Sequence, residues 1–335
     1  MVEPVAGHAV AVGIVWSFAA PVARPEVLPL RYVGVFNRHG GTFRTMDLDA
    51  FCAEAKTIFA AHGHELECRV VDGKDVVDAL TMAAEKGTTD ALLAGGGDGT
   101  ISSAAEIASA QGTPLAILPA GTMNLFARAL HIPLNLNEAL VALASGDLAA
   151  VDLATANGKP FVHQFGVGIH ARLVRIRESM TYRSRIGKMA ASLRAVASAI
   201  FNPPVFDAEI RTRQGVEKRR VSGIAVSNNP VGEGHIPHAD SLDQGVLGVY
   251  VARPMGSFAL AMLALGVLIG RWKAHPQVFE KEVEEVMLRF PRRKKSAQAV
   301  IDGELIELET EVTLRIRPGA LKVIVPRAAA DAAAA

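Results

Sequence analysis

Four short, nearly continuous apolar runs (33–36, 66–71, 91–94 and 115–118) alternate with helical stretches through the first part of the chain. This alternation restricts the fold more than any other feature. In the stretch 47–62, Leu48, Phe51, Ala55, Ile58 and Phe59 recur at helical spacing. Segments 75–85, 101–110 and 125–130 repeat the helical pattern. Strands that are apolar on both faces must be covered on both, which predicts a parallel sheet between helical layers.

From about Val151 the period changes. Val312, Leu314 and Ile316 alternate with Thr313, Arg315 and Arg317, the two-residue period of a strand. Segments 206–213, 220–227, 246–252 and 283–290 also read as strands, and their turns carry Gly, Pro, Asn and Asp. One amphipathic helix, about 186–200, interrupts them. The expected organisation is a parallel α/β N-terminal domain over 31–150 and a mainly antiparallel β domain over 151–327. A loosely ordered leader (1–30) and an Ala-rich tail (328–335) flank them.

Half of the 335 residues are apolar and 21% are charged, which excludes wholesale disorder. Thirty-five basic against 34 acidic residues leave +1, a balance that argues against a nucleic-acid partner. Cys52 and Cys68 form neither a disulfide framework nor a Cys-rich zinc site, and read as reduced thiols of a cytoplasmic protein. The leader has no Lys or Arg before its apolar stretch, unlike a secretory signal. A second apolar run, 258–270, is too short to cross a bilayer and is followed by Arg271, Trp272 and Lys273. It reads as a core helix or as a helix beside a lipid surface, with Trp and cations at headgroup level.

Three loops at strand ends carry the chemistry. In 92–103 (LLAGGGDGTISS) a strand runs through Gly96, Gly97, Asp98, Gly99 and Thr100 into a helix containing Ile101, Ser102 and Ser103. Glycines let the backbone approach a ligand, and the helix start offers unpaired N–H groups to a phosphate. Asp98 would repel phosphate unless a divalent cation lay between them, so it points to metal–nucleotide chemistry. A second loop runs from Pro119 through Gly121, Thr122 and Asn124 into a helix, where Thr122 caps the helix or holds a phosphate. A third, Asn37, Arg38, His39, Gly40, Gly41, follows the first strand. Loops at the carboxyl ends of neighbouring parallel strands define one ligand crevice. The absence of GxxxxGK[ST], and of GxGxxG after the first strand, counts against a P-loop ATPase and an ordinary dehydrogenase.

GGGDGT followed by LPAGTMNLFARAL, then FVHQFGVGIHARLV, SRIGKMAASLRA and a late Asp302-Gly303-Glu304, resembles the catalytic domain shared by diacylglycerol kinases, sphingoid-base kinases and bacterial soluble lipid kinases. NAD kinases are more distant relatives. The resemblance covers roughly 31–326 and implies an ATP-dependent lipid kinase with Mg²⁺. Its γ-phosphate acceptor would be diacylglycerol, a sphingoid base, ceramide or a related lipid. The resemblance also implies that Asn37 to Gly41, Gly96 to Ser102, Thr122 and Asn124 hold ATP. Glu304 matches the proton acceptor, with Asp302 beside it as the fallback. Read on its residues alone, Asp302-Gly303 is a tight turn between strands.

Two positions depart from the family's pattern. Leu125 stands where an Asp often follows Asn124. Gln244 stands beside Asp243 where a second carboxylate would complete a structural Mg²⁺ site. His235, His238 and Asp240 do not make a zinc hydrolase, because Pro237 prevents a regular helix from aligning the histidines. Basic clusters at 172–188, 218–220 and 292–295 read as solvated faces or as contacts with an anionic bilayer. The expected setting is cytoplasmic, peripheral at the inner membrane face, with a lipid as partner; a homodimer is compatible with it. An NAD kinase-like enzyme and a catalytically impaired lipid-binding protein are the alternatives.

Overall fold

The computed structural model describes residues 29–85, 87, 89–179, 203–232 and 238–327. The expected helix 186–200, residues 1–28 of the leader, the tail, and His235 and Pro237 lie outside the described residues.

The first strands and helices alternate as the periodicity requires. They are β1 (Arg31–Asn37), α1 (Leu48–Ala61), β2 (Glu65–Val71), α2 (Val76–Ala84), β3 (Ala91–Gly96), α3 (Asp98–Gln111), β4 (Leu115–Pro119), α4 (Leu125–Ala129) and α5 (Leu136–Ala144). Strands β2, β1, β3 and β4 lie side by side and parallel. Helix α1 starts at Asp47, whose carboxylate accepts from the N–H groups of Asp49 and Ala50, and it buries Phe51, Ala55 and Phe59. Phe36, Phe43 and Phe51 meet at 5.5–5.8 Å beneath the loops that follow β1 and β3.

The second part contains β5 (Asp147–Ala156), β6 (Lys159–Phe161), β7 (Gln164–Gly168), α6 (Ile169–Ser179), β8 (Phe206–Thr212), β9 (Gly215–Val221), β10 (Gly223–Asn228) and β11 (Leu247–Ala252). It continues with α7 (Ser257–Leu268), β12 (Val278–Val283), β13 (Glu285–Arg289), β14 (Gln298–Ile301), β15 (Glu304–Glu307) and β16 (Glu311–Val325). Strands β12, β11, β10, β7, β14 and β15 form a wholly antiparallel sheet. The remaining strands extend the first sheet in the order β4, β16, β13, β8, β9, with β5 along β16. A single sandwich core joins the two sheets, with Ile210, Val286, Leu288 and Leu314 from one facing Val226, Val249 and Ala299 from the other.

Two expected strands are each divided between the sheets. The run 220–227 is cut at Ser222, where β9 ends in the first sheet and β10 begins in the second. The run 283–290 is cut at Glu284, between β12 and β13. Both sheets face one core, so the apolar alternation continues through each crossing and leaves no break in the sequence. The segment 312–316 is antiparallel to β13 and to β5, while farther along β16 Val323 pairs in parallel with Leu115 of β4.

Candidate active site

A crevice of about 800 Å³ opens where the loops after β1, β3 and β4 face the β6–β7 corner and the β14–β15 turn. Two of the loop glycines are demanded by close approach. A β-carbon on Gly41 would stand 2.3 Å from the Ala120 carbonyl oxygen, and one on Gly121 would stand 2.7 Å from the Gly97 α-carbon. The three loops therefore interlock before any ligand arrives. Asn37 fastens them further: its Nδ2 donates to Thr100 Oγ1 at 3.1 Å, and its Oδ1 accepts from the His39 N–H at 3.0 Å.

Of the residues expected to hold nucleotide, Asn37, His39, Gly40, Gly41, Gly97, Asp98, Gly99, Thr100 and Thr122 line the crevice. Arg38 instead pairs with Asp72 at 3.6 Å on the outer surface. Ile101 is buried in the core, and Gly96 packs against Thr100. The cause is helical phase: α3 begins at Asp98, so Gly99, Thr100 and Ser103 face the crevice while Ile101, Ala104 and Ala105 face inward. Asn124 is a backbone clamp rather than a wall residue. Its φ is 51°, its Oδ1 accepts from the Gly121 N–H, and its Nδ2 donates to the Gly121 and Pro119 carbonyls.

Thr122 does not cap the helix that follows. Asp98 does, from a different helix: its Oδ1 accepts from the Leu125 N–H at 2.8 Å and its Oδ2 from the Asn124 N–H at 3.2 Å. The carboxylate sits at the positive end of α4, where a negative charge is stabilised. Each oxygen accepts one of these hydrogen bonds, and the residue also lines the crevice.

The late acidic motif is both a turn and part of the wall. Asp302 (φ 48°) and Gly303 (φ 87°) form the two-residue turn between β14 and β15, in which Ile301 pairs with Glu304. The Asp302 carboxylate takes four hydrogen bonds. Oδ2 accepts from Ser102 Oγ (2.6 Å) and the Val162 N–H (2.9 Å), and Oδ1 accepts from the N–H groups of His163 (2.9 Å) and Gln164 (3.0 Å). Burial pushes this carboxyl up from its ordinary value, and the four donors pull it back. Glu304, by contrast, is exposed and lines the crevice. Its Oε1 lies 3.1 Å from where a β-carbon on Gly99 would stand, over the first turn of α3.

The wall opposite the glycine loops includes Val162, His163, Gln164, His170 and Val174, to which sequence reasoning assigned no role. His163 has the clearest electrostatic signature. Burial lowers its imidazole to about 4, partly opposed by the nearby Asp98 charge, so it is neutral at physiological pH. A histidine held neutral in the fold and protonated in the unfolded chain makes stability fall as pH drops from 6.5 towards 4. Between those values wild type is expected to lose up to about 3 kcal/mol more stability than His163→Gln, read from denaturant unfolding at several pH values. Parallel profiles would refute the assignment.

Among the described residues, no group of three or more His, Cys, Asp or Glu is gathered for a metal. Asp243 accepts from Ser241 Oγ, and its loop is fastened by Asp152, which accepts from the Gly245 N–H (2.7 Å), the Gly319 N–H (3.0 Å) and Asn229 Nδ2 (2.8 Å). Protein donors hold the loop where a structural cation was expected, and Gln244 adds no charge there. These residues do not fit a structural Mg²⁺ site.

The diacylglycerol kinase catalytic domain family matches residues 31–156, and the YegS C-terminal NAD kinase β-sandwich-like domain matches 164–325. A probable YegS-like lipid kinase of Pseudomonas aeruginosa is 31% identical over 287 residues, covering 79% of this chain and 86% of that protein. A diacylglycerol kinase of Staphylococcus saprophyticus is 27% identical, covering 68% and 75%. An uncharacterized Synechocystis protein is 28% identical over 78% of this chain, which spans 61% of that longer protein. A crystal structure described as a diacylglycerol kinase from Bacillus anthracis superposes with a TM-score of 0.66 at 19% identity, covering 89% of this chain and 98% of that one. The chain belongs to the diacylglycerol kinase catalytic-domain family, in the bacterial lipid-kinase branch that carries the YegS-type β-sandwich. Membership implies the use of ATP.

Proposed function

We propose that the protein transfers the γ-phosphoryl group of ATP to a hydroxyl of a membrane lipid at the inner face of the cytoplasmic membrane. Glu304 would accept the hydroxyl proton. The observation that carries this reading is the meeting of Asp98 and Glu304 on one crevice. Ser102 and Asp302, which clamp the two parts together, lie 200 residues apart in the chain.

Phosphoryl transfer needs positioning and charge stabilisation more than covalent help from the protein. The interlocked glycine loops and the first turn of α3 supply N–H groups for phosphate oxygens. Asp98 is the carboxylate that would hold a nucleotide-borne Mg²⁺, since such an ion is usually bound by one or two carboxylates together with substrate phosphates. When bound, that ion would neutralise charge on the phosphates. Asp302 takes no proton in this scheme, because each oxygen already accepts two hydrogen bonds. It is a positioning residue that holds Glu304 over α3.

The test is transfer of labelled phosphate from ATP to a panel of hydroxyl lipids in mixed micelles, resolved by thin-layer chromatography. One labelled lipid is expected, with diacylglycerol, sphingoid bases and ceramide as the first acceptors to try. Labelled NADP⁺ from NAD⁺ in place of a lipid product would overturn the proposal. So would nucleotide binding without transfer to any lipid.

A further inference from the structure

We propose that one end of the antiparallel sheet is the surface by which this protein sits on an anionic lipid bilayer, with α7 in the interface and a basic rim on the headgroup phosphates. The proposal rests on the lipid-acceptor reading above and adds to it the place of contact.

Helix α7 (SFALAMLALGVL) has no charged side chain and is apolar all round, a pattern ordinarily found inside a protein or in lipid. Yet of its described side chains only Leu260 is buried. Phe258 is 80% exposed, and Met262, Leu265 and, just past the helix, Ile269 are each about half exposed. Their spacing of four, three and four residues places them in one stripe. Twelve residues span about 18 Å, too short to cross a bilayer and long enough to lie in its surface. Arg271, Trp272 and Lys273 follow at the helix end. Arg271 is exposed and makes no ion pair among the described residues.

Strand register places a basic rim at the same end of the sheet. Gly223 pairs both with Ala252, which leads to α7, and with Gly168, which leads to α6. Gln298, the first residue of β14, precedes the pair Ala299–Val167 and so lies at this end too. A cavity of about 910 Å³ opens there, with Phe206 and Phe290 on its wall and Arg172, Arg175, Arg292 and Lys294 around it. Arg292 is paired with Asp207, whereas Lys294 and Lys295 are exposed without an ion pair among the described residues. Helix α6 separates this cavity from the catalytic crevice, giving Arg172 and Arg175 to one and His170 and Val174 to the other. The catalytic turn lies one length of β14 away, about 13 Å.

An apolar stripe and unpaired cations at one end complement a surface that is apolar within and anionic at its face.

The test is co-sedimentation of the full chain with phosphatidylcholine vesicles, with and without about one third phosphatidylglycerol, a mixture whose surface charge attracts cations. Variants are F258S/L265S and K294A/K295A, all at exposed positions outside the crevice. Wild type is expected to bind the anionic vesicles at least tenfold more tightly than either variant, while unfolding midpoints and turnover of a short-chain, water-soluble acceptor stay unchanged. Variants that bind vesicles like wild type overturn the proposal. So does a wild-type dimer that the variants convert to monomer with no change in vesicle binding. Vesicle binding is read without turnover, so loss of binding in the variants supports the surface even where no lipid is phosphorylated. Phosphorylation of lipid by variants that bind vesicles normally defeats the surface and leaves the kinase reading standing.

Discussion

Replacing Glu304 by Gln is expected to lower lipid phosphorylation by about 10²–10⁴-fold, the usual cost of removing a general base. ATP affinity and the unfolding midpoint should stay near wild type. The side chain is exposed at the start of β15, so the isosteric amide keeps its place there. Surface changes of this kind usually shift stability by less than about 0.5 kcal/mol. What is lost is the ability to take the proton as the acceptor oxygen approaches phosphorus. Nucleotide titration, thermal unfolding and a pH profile of turnover together check the outcome. Normal turnover would remove Glu304 from the mechanism.

Asp302→Asn should do comparable damage to turnover by a different route. The carboxylate satisfies three backbone N–H groups at the β6–β7 corner together with Ser102 Oγ. An amide offers one acceptor oxygen and turns two donors of its own towards groups that also donate. Partly buried N–H groups left without partners cost about 1–3 kcal/mol each, so a loss of about 2–4 kcal/mol is expected. That corresponds to a fall of about 3–6 °C in the unfolding midpoint of a chain this long. A joint loss of stability and rate would separate a positioning role for Asp302 from a reacting role for Glu304. An Asp302→Asn variant as stable as wild type but inactive would instead make Asp302 the base.

How far the site could be read from residues alone depended on what kind of atom does the work. Glycines and Asp98 at a strand–helix junction announce themselves, because few side chains tolerate such close backbone contact. Ile101 and Ser102 could not be sorted from Ser103 until the first residue of α3 was known, since a shift of one residue turns each by about 100°. Asp302 looked like half of a turn dipeptide, and it is one. Its capture of three N–H groups left no trace, because backbone donors are common to every residue but proline. The capping of α4 by Asp98 is hidden for the same reason. Glu304 was found through resemblance, since an isolated glutamate after a DG turn has no pattern of its own. The sheet crossings at Ser222 and Glu284 escaped notice because a sandwich core rewards the same alternation on both of its walls.

Strand β16 has a consequence for the order of biosynthesis. Its final residues pair with β5 and bring Val323 against Leu115, so the free margin of β4 stays uncovered until residue 325 has left the ribosome. The loops after β1, β3 and β4 are translated early, but the carboxylates that close their crevice, at 302 and 304, come about 200 residues later. A chain that has emerged only as far as residue 300 therefore carries the glycine loops without Asp302 and Glu304, and with a bare sheet margin open to wrong partners. The crevice and the protection of the β4 margin are both completed by one late segment, residues 302–325.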